Sequence, residues 1–203
     1  MILAFDTSSA ACTVALFDGA GSCVARADEV IGRGHAERLV PMIAELMDGR
    51  AATEIVVGVG PGSFTGIRVA IAAAHGLAIG WNAELKGMSS LALLASGAEN
   101  DREVASAVTG GHGELFVQQF DARTLEPRSD LHNAVPAEAA QLVSAPIVVG
   151  SGAKALVDAR GFGEAREMWP SAANALRLPS ALRSLPAKPV YARAPDARVP
   201  EAA

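Results

Sequence analysis

Over its first thirty residues the chain alternates apolar and polar positions in short runs. "MILAFD", "CTVALFD" and "SCVARADEV" are separated by Thr-Ser-Ser and by Asp-Gly-Ala-Gly, both turn formers. This pattern predicts three strands in an antiparallel meander. The period then lengthens. In "HAERLVPMIAELM", Leu39, Met42, Ile43, Leu46 and Met47 recur at i, i+3, i+4, i+7 and i+8, the stripe of an amphipathic helix. Pro41 inside it removes one helical hydrogen bond and predicts a kink or a later start for the regular helix. "EIVVGVG" reads as a buried strand, Phe64 to Trp81 as a helix, "ELKGM" as a short strand, and Ser90 to Ala98 as another helix.

From Glu103 the pattern restarts. "VASAVTG", "GELFVQQFD" and a weaker run near "RSDLHNAV" suggest three strands, "PAEAAQLV" a helix, and "PIVVGSG" a strand and turn. The second half is thus a degenerate echo of the first. An α/β chain of this kind predicts two ribonuclease-H-like lobes facing a cleft, residues 1–100 forming the first and 101–203 a smaller second. From Pro179, the prolines at 186, 189, 195 and 200 predict an extended, partly mobile tail.

Composition narrows the function classes. Of 203 residues, half are apolar and 19% charged, which is ordinary for a globular protein. Against 22 Asp plus Glu there are 17 Lys plus Arg, giving a net charge of −5 and no basic cluster, so tight direct RNA binding is not expected. The start "MILAFDTSS" has no basic leader before an apolar core, which predicts a cytosolic protein. The stretch Val69 to Ala83 falls short of the roughly 20 residues of a membrane span, so no span is predicted. Cys12 and Cys23 sit in strand-like runs and are expected to be buried thiols.

The densest signal is "VGVGPGSFTGIRVAIAAAHGLAIG", with Gly58, Gly60, Pro61, Gly62 and Gly66 leading into an Ala-rich helix. A phosphate-binding P-loop needs Lys-Ser/Thr after its last glycine, and no Lys follows Gly66. A dinucleotide fingerprint needs a glycine where Thr65 stands. A hydrolase elbow needs G-x-S-x-G, whereas Ser63 directly follows Gly62, and His35, His75 and Asp6 have no triad spacing. What remains is a turn at Pro61-Gly62 and a helix cap at Ser63 or Thr65. The helix it opens bears little side chain: Ala70, Ala72, Ala73, Ala74, Gly76 and Ala78 would let another helix approach closely. Arg68, Ala72, His75 and Ile79 share one stripe. That stripe is either covered by the chain's own fold or a partner surface.

"ILAFDTSSAACTVALFDG", "HAERLVPMIAELM", the loop and helix above, "GMSSLALLA" and the terminal "KPVYARAPDARVP" together resemble the TsaB family, also called YeaZ, of tRNA threonylcarbamoyladenosine biosynthesis proteins. "GPGSFTGIR" carries most of the likeness. The resemblance implies an actin- and Hsp70-like two-lobed fold and a non-catalytic role as partner of TsaD. That paralogue transfers the threonylcarbamoyl group to the adenosine beside the tRNA anticodon, and the ATPase TsaE joins the pair. It also implies homodimers through the same surface. Carried onto this chain, the partner surface comprises His35, Leu39, Met42, Ile43 and Leu46 on one helix and Ser63, Phe64, Thr65, Arg68, Ala72, His75 and Ile79 on the other.

The same resemblance implies no catalytic residue and no cofactor in this chain. ATP or ADP and metal are expected on TsaD or TsaE, and tRNA is met only indirectly. TsaD-like enzymes hold a metal with two His four positions apart, and here His35 is followed by Leu39. The superfamily's phosphate hairpin is of D-x-G-[TS] type, whereas Asp6-Thr7-Ser8-Ser9 lacks the glycine, so Asp6 is expected to end its strand and cap a turn. The family's usual Asp-Ala-Arg run before Gly-Glu is replaced by Thr109-Gly110-Gly111-His112-Gly113-Glu114. Two other classes remain open from sequence: a nucleotide-binding ATPase or small-molecule kinase of the same superfamily, and a small hydrolase acting through Ser63.

Overall fold

The computed structural model describes residues 1–98 and 103–191. The first sheet holds β1 (Ile2–Asp6), β2 (Ala11–Phe17), β3 (Cys23–Val30), β4 (Glu54–Gly58) and β5 (Glu84–Met88) in the order β3-β2-β1-β4-β5. β1, β2 and β3 form the antiparallel meander, with Phe5 opposite Val14, and β4 and β5 join parallel to β1. β1 and β2 are buried almost throughout because both faces of the sheet are covered. Alternation then divides their side chains. Leu3, Phe5, Val14 and Leu16 pack beneath α1 (His35–Met47) and α2 (Phe64–Trp81), whereas Ala4, Ala15 and Phe17 face the other way.

The second sheet holds β6 (Glu103–Thr109), β7 (Leu115–Asp121), β8 (His132–Ala134), β9 (Ile147–Val149) and β10 (Glu164–Arg166). Its order is β8-β7-β6-β9-β10, the same third-second-first-fourth-fifth arrangement, with the same antiparallel and parallel pairings. The repeated topology is the duplicated ribonuclease-H-like, actin-like fold. α4 (Pro136–Leu142) and α5 (Ala153–Arg160) cover its outer face through Ala139, Ala153 and Leu156. Between the sheets lies α3 (Ser90–Ala95), every residue buried, in a core shared with Val104, Phe116 and Phe120 of the second sheet.

Several expectations need correction. α1 runs unbroken from His35 through Pro41, so its regular part does not start late, and Pro41 lies on the exposed side. α3 ends at Ala95 rather than Ala98. α5 and β10 had no counterpart in the pattern, because "EAR" is a three-residue edge strand without an apolar position beyond Ala165. Cys12 is buried but Cys23, on the outer strand, is exposed. Burial, followed by the nearby Glu29 carboxylate, pushes the Cys12 thiol up to about 11.

The tail also differs from expectation. After β10 the chain returns to the first sheet. The Ala172 amide donates to Thr13 Oγ1 at 2.6 Å, and Ser171 Oγ donates to the Asp28 carboxylate at 2.9 Å. A short helix, α6 (Ser180–Arg183), follows the proline at 179. Leu185 then exchanges two backbone hydrogen bonds with Gly87, and the Val190 amide donates to the Val59 carbonyl at 2.8 Å. The segment is extended only beyond α6, and it is pinned. Pro195 and Pro200 lie outside the described residues.

Candidate partner-binding face and interlobe cleft

The glycine-rich loop is built for close contact with the β1–β2 turn. A Cβ on Gly62 would stand 2.2 Å from the Ser8 carbonyl oxygen, and one on Gly66 would stand 1.9 Å from that of Thr7. Side chains are excluded at both positions. The Ser63 amide donates to the Ser8 carbonyl at 2.7 Å, and Thr7 Oγ1 donates to the Gly66 carbonyl at 2.7 Å. Ser63 is the N-cap of α2, its Oγ accepting from the Gly66 amide at 3.2 Å. Of the two expected caps, Ser63 fills the role. Gly60 and Pro61 join β4 to this cap, with the Gly60 amide donating to Ser90 Oγ at 3.1 Å.

Asp6 is fully buried beneath the loop. One carboxylate oxygen accepts from the Ser8 amide and hydroxyl, both at 2.7 Å, and the other accepts from Ser90 Oγ at 2.5 Å. A Cβ at Gly58 would collide with it at 1.8 Å. The carboxylate therefore ends β1, holds the turn and ties it to α3. Buried polar groups must be satisfied, and this one is satisfied internally.

α2 has two unlike faces. Gly66, Ile67, Ala70, Ile71 and Ala74 are buried against the first sheet. Ser63, Phe64, Thr65, Arg68, Ala72, His75 and Ile79 are all exposed, with Ile79 84% and Phe64 56% accessible. Gly76 and Gly80 lie on the exposed side with open space where a Cβ would be. By length and composition this 18-residue helix would suffice to cross a membrane, a threshold the sequence reading placed out of reach. In the fold one flank of it is core.

On α1 the expectation is corrected. His35, Leu39, Met42 and Ile43 are buried and Leu46 is half-buried, so these side chains serve the chain's own core rather than a partner. The exposed face of α1 instead carries Ala36, Glu37, Val40, Ala44 and Glu45. Val40 is a surface residue that the apolar stripe did not single out. Its signal was its position between the stripe residues. Arg38 bonds Glu29 at 2.5 Å and Glu45 at 2.9 Å, and its hydrogen bond holds the Glu29 carboxyl below its ordinary range. One turn on from His35, the position of a second His in a TsaD-like pair is the buried, aliphatic Leu39. Among the described residues no three His, Cys, Asp or Glu side chains cluster at metal-binding range.

Between the lobes lies a cleft of about 770 Å³, lined by the Ser8–Ala10 turn, the start of α2, Thr109–His112 of the second lobe, and Trp169 and Tyr191. Among the described residues no Asp or Glu lines it.

Comparison with known proteins places this geometry. A family model described as TsaD, tRNA N6-adenosine threonylcarbamoyltransferase, matches residues 28–144. A structure from Pseudomonas aeruginosa, described as similar to peptidase YEAZ, superimposes with a TM-score of 0.79 at 30% identity, covering 95% of this chain and 99% of that one. The chain belongs to the TsaB/YeaZ family. A second structure, YeaZ from Pseudomonas aeruginosa, gives a TM-score of 0.78 at 29% identity over 94% of this chain and 98% of its own. The Escherichia coli (strain K12) relative, named tRNA threonylcarbamoyladenosine biosynthesis protein TsaB, is 35% identical over 127 residues, 59% of this chain and 54% of its own. The Haemophilus influenzae TsaB is 34% identical over 127 residues, 58% of this chain and 52% of its own. The matches thus span about half the length of these curated relatives.

Proposed function

We propose that this TsaB/YeaZ-family chain is a non-catalytic subunit of tRNA threonylcarbamoyladenosine synthesis. It binds a TsaD-type enzyme and activates transfer of the threonylcarbamoyl group to the adenosine beside the tRNA anticodon, with TsaE as third component. The observation that carries this reading is the exposed face of α2, where Ala72 and Gly76, between the exposed apolar residues Phe64 and Ile79, and Gly80 beyond them leave room for a second helix. Small residues permit close backbone approach, and apolar anchors at the ends supply buried area. The Asp6 carboxylate, whose oxygens are taken by Ser8 and Ser90, supports assigning nucleotide and metal to TsaD or TsaE. A homodimer through the same helices, indirect contact with tRNA and action in the cytosol complete the proposal.

The test is co-purification with TsaD from the same organism, followed by a threonylcarbamoyl-transfer assay with and without this chain. Ala72→Arg places a long charged side chain on the exposed face. The variant is expected to melt within a few degrees of the parent, to lose co-elution with TsaD and to stop supporting transfer. A folded variant with full transfer activity would remove α2 as the contact.

A further inference from the structure

At the start of α2 the exposed face changes character. The Arg68 guanidinium carbon sits 3.4 Å from the centroid of the Phe64 ring, and Nε donates to Tyr191 Oη at 3.2 Å. The Tyr191 ring lies 5.9 Å from that of Phe64. Tyr191 is itself held by the returning tail, through the bond from the Val190 amide to the Val59 carbonyl. A long, flexible cation is thereby fixed on the surface by two aromatic rings.

Nothing described here neutralises it. Among the described residues no hydrogen bond or ion pair takes the two terminal nitrogens of Arg68. α2 contains no Asp or Glu, and Ser184 to Tyr191, which crosses beside it, contains Lys188 and no acid. In a chain of net charge −5 this face is, among the described residues, locally cationic and without Asp or Glu. Neighbouring α1 bears Glu37 and Glu45 instead, the latter already paired with Arg38.

We propose that Arg68 is the charge-reading residue of the α2 face and receives a carboxylate from the docking helix of the partner, with Tyr191 as the positioning residue that holds the guanidinium in place. This inference rests on the TsaD reading above. Its physical content is that recognition at this end of the face is electrostatic, whereas at the Ala72–Ile79 end it is close packing. A pre-placed guanidinium forfeits little rotamer freedom on binding and meets a carboxylate in two-pronged geometry.

The experiment measures Kd for the full chain and TsaD from the same organism between about 0.01 M and about 1 M salt, over which the screening length falls from about 30 Å to about 3 Å. Arg68→Gln keeps a donor for Tyr191 and removes the charge. It is expected to bind about tenfold more weakly than the parent at low salt, with the gap closing at high salt and the melting temperature unchanged. Arg68→Lys should recover part of the low-salt affinity. Tyr191→Phe, which keeps the ring but frees Nε, should lose less than Arg68→Gln does. A gap that persists at high salt means packing alone, and no gap means no contact; either overturns the inference while leaving the TsaD reading in place. A parent chain that does not bind TsaD removes both. If Arg68→Gln abolishes self-association but leaves TsaD binding intact, the carboxylate belongs to a second copy, and the inference falls.

Discussion

The two sheets share strand order and pairing sense, yet only one lobe offers a large helical face. In the first, α1 and α2 are 13 and 18 residues long and cover strands of five to eight residues. In the second, α4 and α5 have 7 and 8 residues, and three of the five strands have only three. At 1.5 Å per residue, α2 extends about 27 Å and α5 about 12 Å. A two-turn helix buries what it has against its sheet and leaves little over. A five-turn helix can cover the sheet with one side and present another to a partner. Topology is therefore retained by strand pairing, and the surface open to function by helix length.

The lobes nevertheless share one contact. The Ser63 amide bonds the Ser8 carbonyl at 2.7 Å, and in the second lobe the Gly152 amide bonds the Ala107 carbonyl at 2.9 Å. Each link is approached by a glycine: a Cβ on Gly62 would meet Ser8 oxygen at 2.2 Å, and one on Gly150 would meet Ala107 oxygen at 2.4 Å. The sharpest way to break the comparison is Gly62→Val against Gly150→Val. Both collide with backbone, and each is expected to cost more than about 4 kcal/mol, leaving little folded protein in a thermal melt. If one variant melts like the parent, the contact is not equivalent in the two lobes.

In the first lobe the turn that makes this contact is also held by Asp6, whose carboxylate reaches α3 through Ser90. Asp6→Ala strips the Ser8 amide and the hydroxyls of Ser8 and Ser90 of their acceptor in the buried interior. A loss of about 2–4 kcal/mol in denaturant unfolding is expected, from several buried groups left unpaired. An unfolding midpoint equal to that of the parent would show that the turn stands without it. The smallest effect is a gain. Gly76 lies mid-helix with open space at its Cβ position, so Gly76→Ala should stabilise the chain by about 0.5–1 kcal/mol, raising the melting temperature by about 1–4 °C. A lower melting temperature would mean that this side of α2 is covered, and the contrast between the lobes' helices would weaken with it.

Periodicity alone located the elements of the first lobe, the missing Lys after Gly66 told against a P-loop, and the position of Ser63 directly after Gly62 told against a hydrolase elbow. The same pattern gave the second lobe only in part, because the short polar edge strand β10 is held by backbone bonds to β9 and needs no apolar signal. It could state that Leu39, Met42 and Ile43 would be covered, but not by what. A hydrophobic stripe carries the same free energy of burial whether a chain's own sheet or another protein covers it, so only the fold assigns these residues to the core. Alanine and glycine on α2 are equally silent, since small residues serve a packed interior and an exposed docking face alike. The tertiary structure decided that Ala72, Gly76 and Gly80 face outward. It also brought Tyr191 across 123 residues of sequence to Arg68, a contact that no local pattern encodes.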